Sequence, residues 1–379
     1  MKTNNYGISR CARNDNTYWI RIFLLLVIGT NLLSACSDQR EDASMEEIFH
    51  QDEAAQAETA VANFEKLLEA YKTDYVARGA HAKAHACVRA WFETNNFIEF
   101  SLRHGIFQKP GQRYKAWIRF SNGHFDLSIS DDQKSDARGM AVKIMDPPGE
   151  PLQVAANQVP TQDFLMTNSP VFFIKDIYDY NELVSRPEAL LGFIFSGWNP
   201  FKWRIDELFL AKKTLTPPPP SLLSPQYFSI TAYKLGPHNI KFSAKPCAGH
   251  EFSSALDVTN PDFLRSNLKQ ALEAGEACFD FMVQLQIPEK NMSIEDPTIE
   301  WKESDSPFMP MARITIPAQD FDTREQTTFC ENLSFAPWHA LPDHQPIGQF
   351  NRMRRHVYPA SSNYRHDRNQ AKIPEDITW

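Results

Sequence analysis

The chain has 379 residues, 42% hydrophobic and 23% charged, a globular composition that allows one large domain or two ordinary ones around a sizeable core. A formal net charge of -8 argues against nucleic acid as a partner, because nothing here would release counterions from a phosphate backbone. Twenty-six prolines against fourteen glycines, with twenty-seven phenylalanines, suggest a loop-rich chain around an aromatic interior rather than a helical bundle.

The N-terminus reads as an address. After Arg10, Arg13 and Arg21 comes an apolar run from Ile22 to Thr30, then Leu32-Leu33-Ser34-Ala35-Cys36. A run this short, closing in small residues and a cysteine, predicts a signal peptide over 1–36 rather than a spanning helix. It is similar to the bacterial lipobox, which implies that Cys36 carries lipid and becomes the first mature residue. The expectation is an exported bacterial lipoprotein on the periplasmic face of a membrane. Ser37 after the cysteine points to the outer membrane. Residues 37–53 are acidic and polar and predict a tether, leaving 54–379 as the folded domain.

Beyond Cys11 and Cys36, Cys87, Cys247, Cys278 and Cys330 lie far apart without a Cys-x-x-Cys. Zinc ribbons, thioredoxin-like chemistry and covalent c-type haem attachment are therefore set aside. One or two disulfides suit an oxidising compartment, with the pairing open.

In chain order, Val61, Phe64, Leu67, Leu68 and Tyr71 recur at helical spacing and predict a helix from about 53 to 75, stopping near Gly79. The period then changes to two at Trp117–Ser121 and Ala141–Met145, both read as barrel strands. An excursion from about 186 to 225 contains Pro217-Pro218-Pro219-Pro220, which predicts a rigid extended connector. Asn260 before Pro261 predicts a helix N-cap, with Gly275 ending that helix. Cys278–Ile287 alternates cleanly and predicts a strand, as does Ala312–Ile316; a short helical pattern follows at Asn351–Val357. The organisation is α+β, antiparallel strands interrupted by long excursions.

Four stations carry chemistry. They are Arg78-Gly79-Ala80-His81-Ala82-Lys83, Ile118-Arg119-Phe120-Ser121, Met166-Thr167-Asn168-Ser169-Pro170-Val171-Phe172-Phe173, and Arg354-Arg355-His356-Val357-Tyr358 with Arg365 beyond. Taken singly, each has a bland explanation: a satisfied core histidine, a solvated arginine, a chance Arg-x-x-x-Tyr.

In this order they resemble the catalase superfamily from about Arg78 to Arg365, with Asp136–Lys143 matching a further family segment. Because the chain ends soon after Arg365, it looks most like the short bacterial catalase-like proteins that lack the helical C-terminal domain. The resemblance implies an eight-stranded antiparallel β-barrel with wrapping excursions and peripheral helices, and a haem b. It implies Tyr358 as the iron ligand, with Arg354 one turn away favouring the phenolate. His81 would be the distal proton acceptor. Arg78, Arg119 and Arg365 would neutralise the propionates, and Gly139 and Phe172 would contact the cofactor.

Two departures stand out. Family members carry two asparagines before the Thr-Pro, and here the pair reads Thr167-Asn168, so either residue could face the iron. Tyr180 replaces a pocket phenylalanine, and Ala80 the valine before the distal histidine. The expected function is decomposition of hydrogen peroxide or small organic peroxides. The alternatives are rearrangement or cleavage of fatty-acid hydroperoxides, for which a membrane anchor at Cys36 is suited, and a non-enzymatic haem-binding lipoprotein. Homo-oligomerisation is left open.

Overall fold

From Ala86 to Met166, Ala86, Val88, Ala90, Phe92, Tyr114, Ala116, Ile118, Phe120, Met140, Val142, Ile144, Phe164 and Met166 alternate with mixed residues and enter one core. Each strand therefore has one face that must be buried. The computed structural model describes residues 45–131, 135–154, 159–186, 190–195, 199, 203–249, 260–375, 377 and 379. The signal peptide, Cys11, Cys36 and the first part of the expected tether lie outside them.

Among the described residues, nine antiparallel strands form one sheet: β1 (Ala84–Thr94), β2 (Arg113–Asn122), β3 (Arg138–Met145), β4 (Thr161–Thr167), β5 (Tyr227–Phe228), β6 (Tyr233–Leu235), β7 (His238–Pro246), β8 (Ala277–Leu285) and β9 (Met309–Ile316). Their order is β5-β4-β3-β2-β1-β9-β8-β7-β6, and β5 also pairs with β7. That last pairing closes eight strands into a barrel, with β6 as an extra strand on β7. Closure leaves the eight without an open edge. Phe164 anchors the interior, its ring 4.8 Å from Phe281 and 4.9 Å from Phe242.

Seven α-helices lie among the described residues: α1 (Glu53–Ala70), α2 (Ile177–Ser185), α3 (Leu190–Ile194), α4 (Ile205–Thr214), α5 (Phe263–Ala274), α6 (Arg324–Asn332) and α7 (Gln349–Asn369). Phe64 and Leu67 of α1, Ile177 of α2, and Phe350, Met353 and Val357 of α7 share a second apolar cluster. None of these helices is long and apolar enough to cross a membrane.

Several boundaries differ from the sequence reading. Helix α1 stops at Ala70 rather than near 75. Residues 45–53 of the expected tether are held against the fold, because Arg352 pairs with Glu47 and Glu53 at 2.6 Å each. Helix α5 is capped at Asp262 and not at Asn260, whose side chain instead accepts the Asp262 N–H at 2.9 Å; Gly275 does end it. Helix α7 runs for 21 residues through Pro359, which the short pattern at 351–357 did not foretell. Buried contacts of its apolar face outweigh the hydrogen bond that the proline removes. Cys247 and Cys278 form a disulfide between the end of β7 and the start of β8, while Cys87 and Cys330 are free thiols.

Candidate active site

His81 sits where the chain turns from α1 into β1, in the left-handed region at φ 54°. Such a conformation in a non-glycine residue is strained and needs support. Its N–H donates to Gly123 O at 3.0 Å and the next N–H, of Ala82, to His124 O at 3.1 Å. The ring Nδ1 lies 3.1 Å from Ser121 Oγ of β2. Gly139 of β3 makes this approach feasible, since a Cβ there would stand 2.5 Å from that Nδ1 and 2.7 Å from Ser121 Oγ.

The strand register places the neighbours. Ser121 pairs directly with Gly139, and Gly139 with Thr167 of β4. Directly opposed residues project to the same face, so Ser121, Thr167 and the imidazole share the outer face of the barrel. Asn168 is turned away: its Oδ1 accepts the Arg138 N–H at 2.7 Å and its Nδ2 donates to Thr216 Oγ1 at 3.2 Å. The Thr167 hydroxyl donates to Ser169 O at 3.4 Å.

Burial, reinforced by the Arg119 charge and opposed by Asp136, pushes the His81 pKa down to about 4. The ring is therefore neutral near pH 7 and can accept a proton. Burial likewise pushes Tyr180 on α2 up to about 12. Yet both side chains keep accessible surface, and Ala80 beside His81 is exposed. Tyr180 belongs to an aromatic group, with Phe172 5.0 Å from Phe173, 6.0 Å from Tyr180 and 5.8 Å from Phe350. A cavity of about 70 Å³ by Lys241 and Trp301 and one of about 10 Å³ by Arg78 and Gly79 are lined by neither His81 nor Tyr358.

Arg78, Arg119 and Arg365 come together from three separate parts of the chain, around Glu331 near the end of α6. Arg78 Nη1 is 2.7 Å from Glu331 Oε2 and Arg119 Nη2 is 3.8 Å from Oε1, while Arg365 Nη1 donates to the Glu331 carbonyl at 2.5 Å. Arg78 Nη2 also donates to the carbonyls of Cys330 and Leu333, at 2.9 Å each. Burial tends to raise the Glu331 pKa, but the three guanidiniums outweigh it and hold the carboxyl below its usual range. Burial and the Arg78 charge push Arg365 down to about 9. The Nε of Arg119 is buried with no partner among the described residues.

Tyr358 and Arg354 project from α7. Arg354 Nη1 lies 3.3 Å from both Thr231 Oγ1 and Asn351 Oδ1. Its charge acts on His81 and on Tyr180, and Tyr358 acts on Tyr180 as well, so the α7 residues and the imidazole belong to one electrostatic neighbourhood. Tyr358 is half-buried, and its hydroxyl has no hydrogen-bond partner among the described residues.

The residues present suit an anionic haem: three guanidiniums already assembled around a carboxylate, a phenol without a partner, a neutral imidazole, and a glycine that lets the imidazole lie against the sheet. Sequence reasoning missed two contributors. Ser121 was legible in principle, being two residues from Arg119 on the same strand face. Glu331 had no local signal at all.

A closed eight-stranded antiparallel barrel, with a serine-backed histidine on its outer face and arginines gathered beside it, has the catalase fold. A family model described as Catalase matches residues 50–188. The chain is 27% identical over 288 residues to Catalase C of Rhizobium meliloti (strain 1021), covering 66% of this chain and 38% of that protein. It is 27% identical over 255 residues to a catalase-related peroxidase of Mycolicibacterium paratuberculosis, covering 64% and 75%. Among solved structures, catalase A from Saccharomyces cerevisiae superposes with a TM-score of 0.61 at 18% identity, over 90% of this chain and 72% of that one. The chain is thus similar to catalases in sequence over its N-terminal half and in fold over most of its length, and it spans 38% of the length of the first of these relatives. The matched family segment contains His81, Arg119, Gly139 and Thr167, and ends before α7.

Proposed function

We propose that this protein is a haem-dependent oxidoreductase that decomposes hydrogen peroxide or small organic peroxides. The observation that carries the reading is the His81 imidazole, neutral because it is buried, braced on Ser121 and set against Gly139. Haem b, when bound, supplies the redox centre at which the peroxide O–O bond breaks. Tyr358 would hold its iron, with Arg354 one turn away on the same helix. Arg78, Arg119 and Arg365 would take its carboxylates, with Glu331 sharing the cluster, and Gly139 and Phe172 would border it. His81 would accept a proton from the incoming peroxide at Nε2 while Ser121 orients the ring, then return it to the departing oxygen.

The strand register favours a peroxidase-like balance. Thr167, not Asn168, shares the His81 face, so a hydroxyl stands where an amide would position a second peroxide. We also propose export and lipid anchoring at Cys36, which would present the site to peroxides near a membrane surface, lipid hydroperoxides included.

The test is a visible spectrum of purified, haem-loaded protein followed by peroxide turnover with and without an organic donor. A Soret band with a phenolate charge-transfer band, and faster turnover with donor than without, is expected. Absence of any Soret band after reconstitution overturns the reading. Retention of Cys36→Ala in the soluble fraction, against membrane partition of the parent, checks the anchor.

A further inference from the structure

Cys87 and Cys330 have no part in the site described above, and they are not an isolated pair of thiols. Cys87 lies on the outer face of β1, directly opposite Arg119 in β2. Cys330 lies in the last turn of α6, and both are buried in one apolar cluster with Trp117, Met145 and Leu333. Cys330 follows Gln326 by one turn of α6, which puts its side chain on the helix face that meets β1 at Cys87. Gln326 of α6 donates to the Cys87 carbonyl at 2.6 Å and Arg78 to the Cys330 carbonyl at 2.9 Å, so backbone and side chains on both sides are held in register.

We propose that Cys87 and Cys330 form a peroxide-reducing thiol pair that closes to a second disulfide, with Cys330 attacking and Cys87 resolving. The Cys330 thiolate attacks one peroxide oxygen and the O–O bond breaks; the other oxygen leaves as water or alcohol after taking a proton. Cys330 is then a sulfenic acid. Cys87 sulfur attacks it, the S–O bond breaks, and the hydroxyl leaves as water with the Cys87 proton. Two thiols supply two electrons, and one peroxide is reduced.

The assignment of roles follows from the surroundings. Burial tends to raise the Cys330 pKa, but the neighbouring Cys87 thiol and the Arg119 charge outweigh it and hold the thiol below its ordinary value. Burial and the Cys330 thiol beside it push Cys87 well up. The more acidic thiol is the better source of thiolate, and a neighbouring cysteine is what resolves a sulfenic acid. Burial also selects the oxidant, since hydrogen peroxide is close to water in size and bulky disulfides or hydroperoxides are not. The new bond would tie β1 to the α6 end that supplies Glu331 and the carbonyls gripped by Arg78.

The experiment exposes the full-length protein, and its His81→Ala variant, to one equivalent of hydrogen peroxide. Free thiols are then alkylated, and the non-reduced peptides are mapped by mass spectrometry. A linked Cys87–Cys330 peptide is expected in both proteins, with Cys247–Cys278 unchanged, and at a rate at least about tenfold slower with a bulky organic hydroperoxide. His81→Ala separates this chemistry from the haem reading, because the thiols need no imidazole. Cys87→Ser should leave a dimedone-reactive sulfenic acid on Cys330. Recovery of both cysteines alkylated in the parent chain overturns the proposal, whatever the variants do, and so does sulfenic acid on Cys87 in a Cys330→Ser chain.

Discussion

At the scale of single residues, the imidazole of His81 owes its position to two small neighbours. Ser121 fixes one nitrogen, and Gly139 vacates the space into which the ring settles. On the proposed function, replacing His81 by Ala removes the proton acceptor and leaves the arginine cluster and Tyr358 in place. Haem uptake should persist by absorbance titration, while peroxide turnover falls by about 10²- to 10⁴-fold. Gly139→Ala tests the support instead of the ring: the added methyl must displace the imidazole, so turnover should drop at least about tenfold while the thermal midpoint shifts little. Unchanged turnover in Gly139→Ala would mean that the imidazole need not rest on the strand. The histidine, the arginines and the tyrosine were readable as motifs because each sits in a short ordered run of unusual residues. Whether Thr167 or Asn168 shares the His81 face was not readable, because it depends on which residue of β3 pairs with which residue of β4.

Between elements, the barrel is joined to its surroundings by buried charge. Asp163 of β4 accepts from Lys143 of β3 at 2.8 Å, from the Ala336 N–H at 3.0 Å, and lies 3.0 Å from His339 Nδ1. One carboxylate thus fixes two strands and the segment that leads from α6 to α7. Asp163→Asn would leave the Lys143 ammonium buried without its counter-ion. Stability should fall by about 3–5 kcal/mol, seen as a lower urea midpoint. A midpoint within error of the parent would show that water or another group compensates. Strands β2, β3, β8 and β9 were visible as period-two runs, since one face of each is buried. Helix α7 was seen only in part, because proline forecasts a helix end, whereas packing against α1 carries this helix through Pro359.

Across the whole molecule, buried neutral histidines make stability depend on pH. Burial pushes His81, His85 and His344 each down to about 4, from an ordinary value of 6.5. An unfolded histidine binds a proton below about 6.5, and these folded ones only near 4. Between those values the unfolded chain holds more protons, so their stabilising contribution is complete above pH 6.5 and is lost as pH falls toward 4. The loss is up to about 1.4 kcal/mol per pH unit for each group. Urea midpoints at pH 7, 5.5 and 4.5 should therefore decrease in that order. A flat series would mean that these rings are protonated in the native state. The amino-acid order alone carried the resemblance to catalases and the strand-rich organisation, because period and short motifs are local properties of a chain. It could not convey that Arg78, Arg119 and Arg365 meet around Glu331, that Cys87 faces Cys330, or that Cys247 pairs with Cys278. Those encounters join positions between 31 and 287 residues apart and arise only when the barrel closes and α6 and α7 pack beside it.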